Sequence, residues 1–294
     1  MPWQGAAIYL ASLVGLLAVL LGALAWDALR TVTPSQAASR ANRHATLASA
    51  IGVVLMVVLV TWTVAGISLG VWPRDGRVLA VLPVLGGAVL LAAQAVGQLT
   101  WPRPTGSHRE AELVARTVAD VSPVGPRRMV LGWAGLALVL LVVFGVVADG
   151  PRSLTQWYAG NAAYPGWYYG VPMSLAVLVL VAATELVQRL IMLRPAVPGV
   201  STEWDLRLRR RSAGHVTRGI QLVLAVTVAG TLVAAAWGHV AVGRVHGSVA
   251  QTGIGYALLG AAACVSLAGL VLAVVPLPRG QRNAPSPDHA GVSS

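Results

Sequence analysis

The side chains that could carry chemistry in this chain stand where charge is expensive. Gln94 and Gln98 are four residues apart, as are Glu185 and Arg189, and each pair falls on one face of an apolar run predicted to be helical. A charge at the centre of a lipid-depth helix costs roughly 2.5–3.5 kcal/mol on insertion scales, so such groups face a protein interior or a cavity. Two roles fit them. Glu185 would relay a proton or cation along a path lined by the glutamines, or it would pair with Arg189, whose long arm reaches the inner interface while the glutamines bond between helices.

Aromatic residues form a second constellation: Trp157, Tyr158, Tyr164, Trp167, Tyr168 and Tyr169, interleaved with Asn161, Pro165 and glycines. Tyr and Trp join an apolar ring to a polar handle, so this loop fits an interfacial belt folded over the bundle mouth. It also fits a platform for a lipid, quinone or cationic ligand, bound by stacking and cation–π contacts. Arg207, Arg209, Arg210 and Arg211 follow a short acidic turn and are expected to meet anionic headgroups, each contact worth about 1 kcal/mol. Nucleic acid is not an expected partner, because no separate fold surrounds them.

Other signals are weaker. Gly66-Ile67-Ser68-Leu69-Gly70 has the letters of a nucleophile elbow, with His239 as a possible base, but an elbow needs a strand-to-helix turn and these glycines equally suit close helix packing. His239 and His246 lack a third metal ligand at convincing spacing, so neither metal nor cofactor is expected. The single cysteine, Cys264, lies in an apolar run and is expected to be a small buried hydrophobe. With Gly260 and Ala268 it would form a narrow packing stripe at four-residue intervals.

The elements that must position these residues follow from composition. Charged residues make up 11% of the 294 and hydrophobic ones 56%, whereas soluble domains carry about 25% charged residues. The apolar excess comes in blocks of about 20, the length that crosses a hydrocarbon layer of about 30 Å. The expected fold is an all-α polytopic bundle with seven spans, at 6–29, 47–70, 78–99, 129–148, 171–193, 217–238 and 253–275. These occupy a domain of residues 1–278, followed by a disordered tail, 279–294. Ala23-Leu24-Ala25 has a small-x-small form, but no basic side chain precedes the first apolar run, so that run is expected to remain as a span.

All 21 basic residues are arginine. Without lysine there is neither a retinal Schiff base nor a phosphate-cradling G-x-x-x-x-G-K-[ST] loop. Only Arg74, Arg77, Arg152 and Arg244 border the second, fourth and sixth connections, and the other arginines lie in or beside the first, third and fifth or in the tail. Cytoplasmic loops retain basic residues, which predicts an outside N-terminus and an inside C-terminus.

Each arginine-rich connection carries a helix-opening capping signal: Thr33-Pro34-Ser35-Gln36, Ser107-His108-Arg109-Glu110 and Thr202-Glu203-Trp204-Asp205. A short interfacial helix is expected in each. Gln94, Val96, Gln98, Leu99, Arg103 and Pro104 also align at constant offset with Glu185, Val187, Arg189, Leu190, Arg194 and Pro195. That alignment is expected either of duplicated two-span units or of common span-end chemistry. Parallel repeats occur in transporters.

With its arginine-only, Ala/Val/Leu-rich composition, its Trp167-Tyr168-Tyr169-Gly170-Val171-Pro172 span entry and its Arg194-Pro195 step before an acidic-then-basic helix, the chain resembles the uncharacterised multi-pass membrane proteins of actinobacteria. The resemblance implies a bacterial cytoplasmic membrane and no particular activity, cofactor or catalytic residue. The expected role is non-enzymatic: a transporter or permease-like subunit, or a membrane component of an assembly. A sensor of a lipid or envelope ligand is the competing class, and a membrane-embedded hydrolase a distant third. Expected partners are membrane lipids, a protein partner or a second copy of the chain.

Overall fold

The computed structural model describes residues 19–71, 76–101, 117–122, 124–151, 154 and 164–274. The expected first span before residue 19, the Ser107 capping signal, Trp157, Tyr158 and the tail lie outside them. The described elements are helices: α1 (Val19–Leu29), α2 (Gln36–Ser68), α3 (Arg77–Leu99), α4 (Val118–Val121), α5 (Val124–Val147), α6 (Trp167–Leu193), α7 (Thr202–His246) and α8 (Val249–Val274). All except α1 and the four-residue α4 are long and apolar enough to cross a membrane. Their outward faces expose Val58, Trp62, Val139, Leu175, Val179 and Leu267, an apolar surface that suits lipid and not water. The chain is a helical multi-pass membrane protein.

Two helices are longer than a membrane requires. At 1.5 Å per residue α7 runs about 67 Å and α2 about 50 Å, against a hydrocarbon layer of about 30 Å. The two described segments expected as short interfacial helices leading to the next span are therefore N-terminal extensions of those spans, with no break between 211 and 217. Their caps sit close to the expected signals. Ser35, not Thr33, opens α2, its hydroxyl accepting from the Ala38 amide at 3.1 Å. This leaves Pro34 outside the helix, where its missing N–H matters little. Ser201 opens α7 by accepting from the Trp204 amide at 3.3 Å, and Glu203 and Asp205 in the first turn complement the helix dipole. At the far end, Arg244 and His246 fill the last turn and Gly247 ends the helix with φ 65°, a left-handed conformation favouring glycine.

The centre of the bundle is α7, packed against α2, α3, α5, α6 and α8. Ile220, Leu224 and Val228 are fully buried and join Leu90 of α3 and Leu180 of α6 in the main core. The packing stripe on α8 is not the expected one. Cys264 is exposed and Gly260 faces open space, while Gly255, Ala262 and Gly269 are buried. A Cβ on Gly255 would strike Val240 and the Ala236 carbonyl, and one on Gly269 would strike Ala225. Seven residues are nearly two whole turns, so this stripe stays on the seam with α7, whereas a four-residue stripe drifts around the helix.

A second, smaller core lies at the end formed by the starts of α2 and α7. Ala38, Ala41, Ala45, Trp101, Val197, Trp204 and Leu208 pack together there. The Trp204 indole donates to the Val32 carbonyl at 2.9 Å, tying α7 to the α1–α2 connection.

Candidate functional site

Where the long helices leave the main core, α7 presents Arg211, His215 and Arg218, spaced by four and three residues and therefore on one face. Asp27 comes from α1 and Thr31 from just beyond it; Asn42 and Ser49, seven apart on α2, look the same way, and Gln94 comes from α3. Apart from Arg218, these side chains form one hydrogen-bonded chain. The Asp27 Oδ2 atom accepts from Arg211 Nε at 2.5 Å and lies 2.9 Å from His215 Nε2. Arg211 Nη1 also donates to Thr31 Oγ1 at 2.9 Å and to Asn42 Oδ1. On the other side of the imidazole, Nδ1 stands 3.3 Å from Ser49 Oγ, which accepts from Gln94 Nε2 at 2.8 Å.

This geometry accommodates His215 in both protonation states. Ser49 has a second acceptor, the Ala45 carbonyl at 3.1 Å. When the imidazole is neutral with its proton on Nε2, that proton goes to Asp27 and the Ser49 hydroxyl donates to Nδ1. With both nitrogens protonated, Nδ1 donates to Ser49 and the hydroxyl turns to Ala45. His215, Asp27, Ser49 and Gln94 each keep a partner in both states, as a buried polar network requires.

Beside the network lies a cavity of about 510 Å³ between α1, α2, α3, α7 and the end of α8. Leu20, Leu24, Val53, Met56, Leu90 and Leu222 give it apolar walls, and Asp27, Ser49, Gln94, His215 and Arg218 give it one polar side. A cavity of this size with a few convergent polar groups has the form of a ligand site, here one for an amphipathic molecule.

Ser49, His215 and Asp27 have the composition of a hydrolytic triad but not its surroundings. Ser49 is buried within α2, where the backbone amides are committed to helical bonds and none is free to stabilise an oxyanion. Ser68 and His239 are likewise occupied elsewhere: the Ser68 hydroxyl donates to the Val64 carbonyl at 2.8 Å, and His239 Nδ1 lies 2.6 Å from Gln251 Oε1.

Of the residues singled out in the sequence, Gln94 belongs to the network and Gln98 is buried one turn further along α3. Glu185 does not pair with Arg189, which is exposed. Instead Arg127 of α5 grips both its oxygens, Nε to Oε1 at 3.1 Å and Nη2 to Oε2 at 2.7 Å. The two-pronged fit across helices is better than an i,i+4 contact offers.

The arginine run also divides, because successive residues on one helix point about 100° apart and cannot share a face. Arg207 and Arg210 are exposed, with Arg210 Nε donating to the Asp120 carbonyl at 2.7 Å. Contrary to expectation, Arg209 does not face headgroups: it is wholly buried, bonded to Asp205 at 2.7 Å and to the carbonyls of Ile191, Met192 and Arg194. Arg211 is drawn into the network. Nearby, the Arg194 guanidinium lies 4.0 Å over the Trp101 ring; burial, reinforced by neighbouring Arg209, lowers its pKa to about 9.

At the opposite end the described aromatics close the bundle. Tyr164 is fully buried between Phe144 and His239, with edge-on contacts at 5.9 and 5.7 Å, and burial pushes its pKa up to about 12. Trp167 covers Gly145, and Tyr168 lies under Arg77 at 3.5 Å and meets Tyr169 edge-on at 5.0 Å. A smaller cavity of about 280 Å³ reaches Tyr164 and Tyr169.

Sequence reasoning missed Asp27, Ser49, His215 and Arg218. One signal was present: on an unbroken helix, 211, 215 and 218 form a basic stripe, and Asp27 is the lone acid of the first apolar run. Among the described residues no three His, Cys, Asp or Glu side chains group to hold a metal ion. Compared with models of known protein families, with curated proteins and with solved structures, the chain matches none.

Proposed function

We propose that the protein is a non-enzymatic transporter or permease-like subunit of a bacterial cytoplasmic membrane, working alone or within a larger assembly, and that the cavity beside α7 takes an amphipathic substrate. The observation that carries this reading is the convergence of polar side chains from four helices on one apolar-walled space. Depth agrees with it. Counted from the far ends of α2 and α3, Ser49 and Gln94 lie about 29 and 26 Å along their helices, close to where a hydrocarbon layer of about 30 Å gives out. A substrate there rests its tail among apolar walls and its head at the boundary. The arginine distribution directs this end, and both chain extensions, to the cytoplasm.

Binding of a dansyl-labelled single-chain amphiphile to the full chain in nanodiscs tests the reading. Leu222→Trp, which fills the cavity, should abolish the fluorescence change, and Val226→Trp on the exposed face of the same helix should leave it intact. Equal binding by wild type and Leu222→Trp would remove the cavity from consideration. The projecting ends of α2 and α7, with Arg207 exposed on them, favour a second reading in which cavity occupancy is reported to a protein partner.

A further inference from the structure

We infer that the cavity selects an amphipathic anion, with a carboxylate or phosphate head, and that Arg218 pairs with that head. The inference rests on the reading of the cavity as a substrate site and specifies its chemistry.

Arg218 lines the cavity, is partly buried, and makes no hydrogen bond or ion pair among the described residues. Its neighbours on α7 are differently placed. Arg209 is held by Asp205 and three carbonyls, and Arg211 by Asp27, Thr31 and Asn42. The cavity's one carboxylate among the described lining residues, Asp27, gives the same oxygen to Arg211 and His215. Its charge is therefore already matched. With His215 neutral, Asp27, Arg211 and Arg218 leave one uncompensated positive charge against an apolar wall, and protonating His215 adds a second.

A guanidinium partly withdrawn from water gains from a counter-charge or several acceptors, and the described walls of the cavity leave it neither. The missing partner is an anion. Arginine's planar fork matches the two oxygens of a carboxylate or phosphate, while the leucine, valine and methionine walls behind it accept a hydrocarbon tail. A cationic head would meet repulsion, and a neutral head would leave Arg218 as it stands. Two sources supply this chemistry: a free single-chain anion and an anionic lipid of the bilayer.

The test uses the full chain in nanodiscs of zwitterionic lipid and three probes sharing one dansyl-labelled alkyl chain, ending in carboxylate, phosphate monoester or alcohol. Wild type should bind the anionic probes about ten- to a hundredfold more tightly than the alcohol, the range of one charge-assisted contact. Arg218→Gln should remove that preference while keeping alcohol binding, and Arg218→Lys should retain part of it; unchanged melting temperatures verify that both variants fold. Displacement of the anionic probes when anionic phospholipid enters the nanodisc identifies bilayer lipid as the natural head, and persistence identifies a free anion. Alcohol binding without any anion preference in wild type, or a preference that survives Arg218→Gln, sinks the inference alone. Failure of all three probes to bind sinks the substrate-site reading and this inference with it.

Discussion

Replacing Arg209 by Met removes more than a charge. Arg209 is fully buried and makes four hydrogen bonds in two directions: Nε to Asp205, and the two terminal nitrogens to the carbonyls of Ile191, Met192 and Arg194 at 2.7–2.9 Å. Those carbonyls belong to the C-terminus of α6, where the last acceptors of a helix have no partner of their own and the dipole favours a cation. Met keeps the volume but takes from the Asp205 carboxylate and the α6 carbonyls the donor they share. Removing one member of a buried pair costs about 3–5 kcal/mol. At about 2 °C per kcal/mol, the low end of the range for 150–250 residues and the end nearer to this chain of 294, the melting temperature in detergent should fall by about 6–10 °C. The double variant Arg209→Met with Asp205→Leu also takes away the carboxylate that Arg209 neutralised and should recover part of the loss, leaving the α6 carbonyls without Arg209. Thermal unfolding of the two single variants and the double variant, followed by tryptophan fluorescence, completes the cycle. A double variant no more stable than Arg209→Met would refute the claim that Asp205 and Arg209 act as a unit. Wild-type stability in Arg209→Met would refute the capping role as well.

Three further outcomes follow from the packing. Gly255→Val drives a side chain into Val240 and the Ala236 carbonyl and should destabilise by about 1–3 kcal/mol, whereas Gly260→Val meets open space; their melting temperatures should differ in that order. Tyr164→Phe removes a buried hydroxyl that has no partner among the described residues, so the melting temperature should hold or rise by the equivalent of about 1 kcal/mol, and a clear fall would reveal a bond to that oxygen. Asp120 is held below its ordinary value of 3.8 by hydrogen bonds from Thr117, the backbone amide first and the hydroxyl next. Its contribution to the α4 cap is therefore present above that value and lost as pH falls through the lowered one, so protection of the Thr117 amide, measured relative to its intrinsic exchange rate, should fall on acidification in wild type and lose that pH dependence in Asp120→Asn.

The spans that apolar length alone dictates were legible, because a helix facing lipid must be apolar over about 20 residues. Six described helices fall where the later six runs place them. What escaped was the run from 202 to 218. Its hydropathy is that of a surface helix, since Asp205, Arg209, Ser212, His215 and Arg218 all read as solvent-facing. Three of these are instead buried, and they are tolerated there because each is partnered: Asp205 by Arg209 one turn on, Arg209 also by the end of α6, and Ser212 by Arg194, whose Nη1 donates to it at 3.4 Å. Composition cannot distinguish a polar face turned to water from one matched by another polar face.

The same ambiguity hid the candidate site and explains where it lies. A polar network is hardest to place in the middle of the lipid and unremarked in the loops, so it gathers at the boundary, where α2 and α7 pass from apolar to polar without ending. There Ser49 and Gln94 read as isolated residues near span ends and Asp27 as the last turn of a span. Only the uninterrupted α7 brings Arg211, His215 and Arg218 onto one face against them. Because Asp27 is matched by Arg211 and His215, Arg218 is left facing an apolar cavity with its charge unmet among the described residues. Continuity of that one helix across the boundary therefore decides whether the arginines are merely an orientation signal or also part of a binding site.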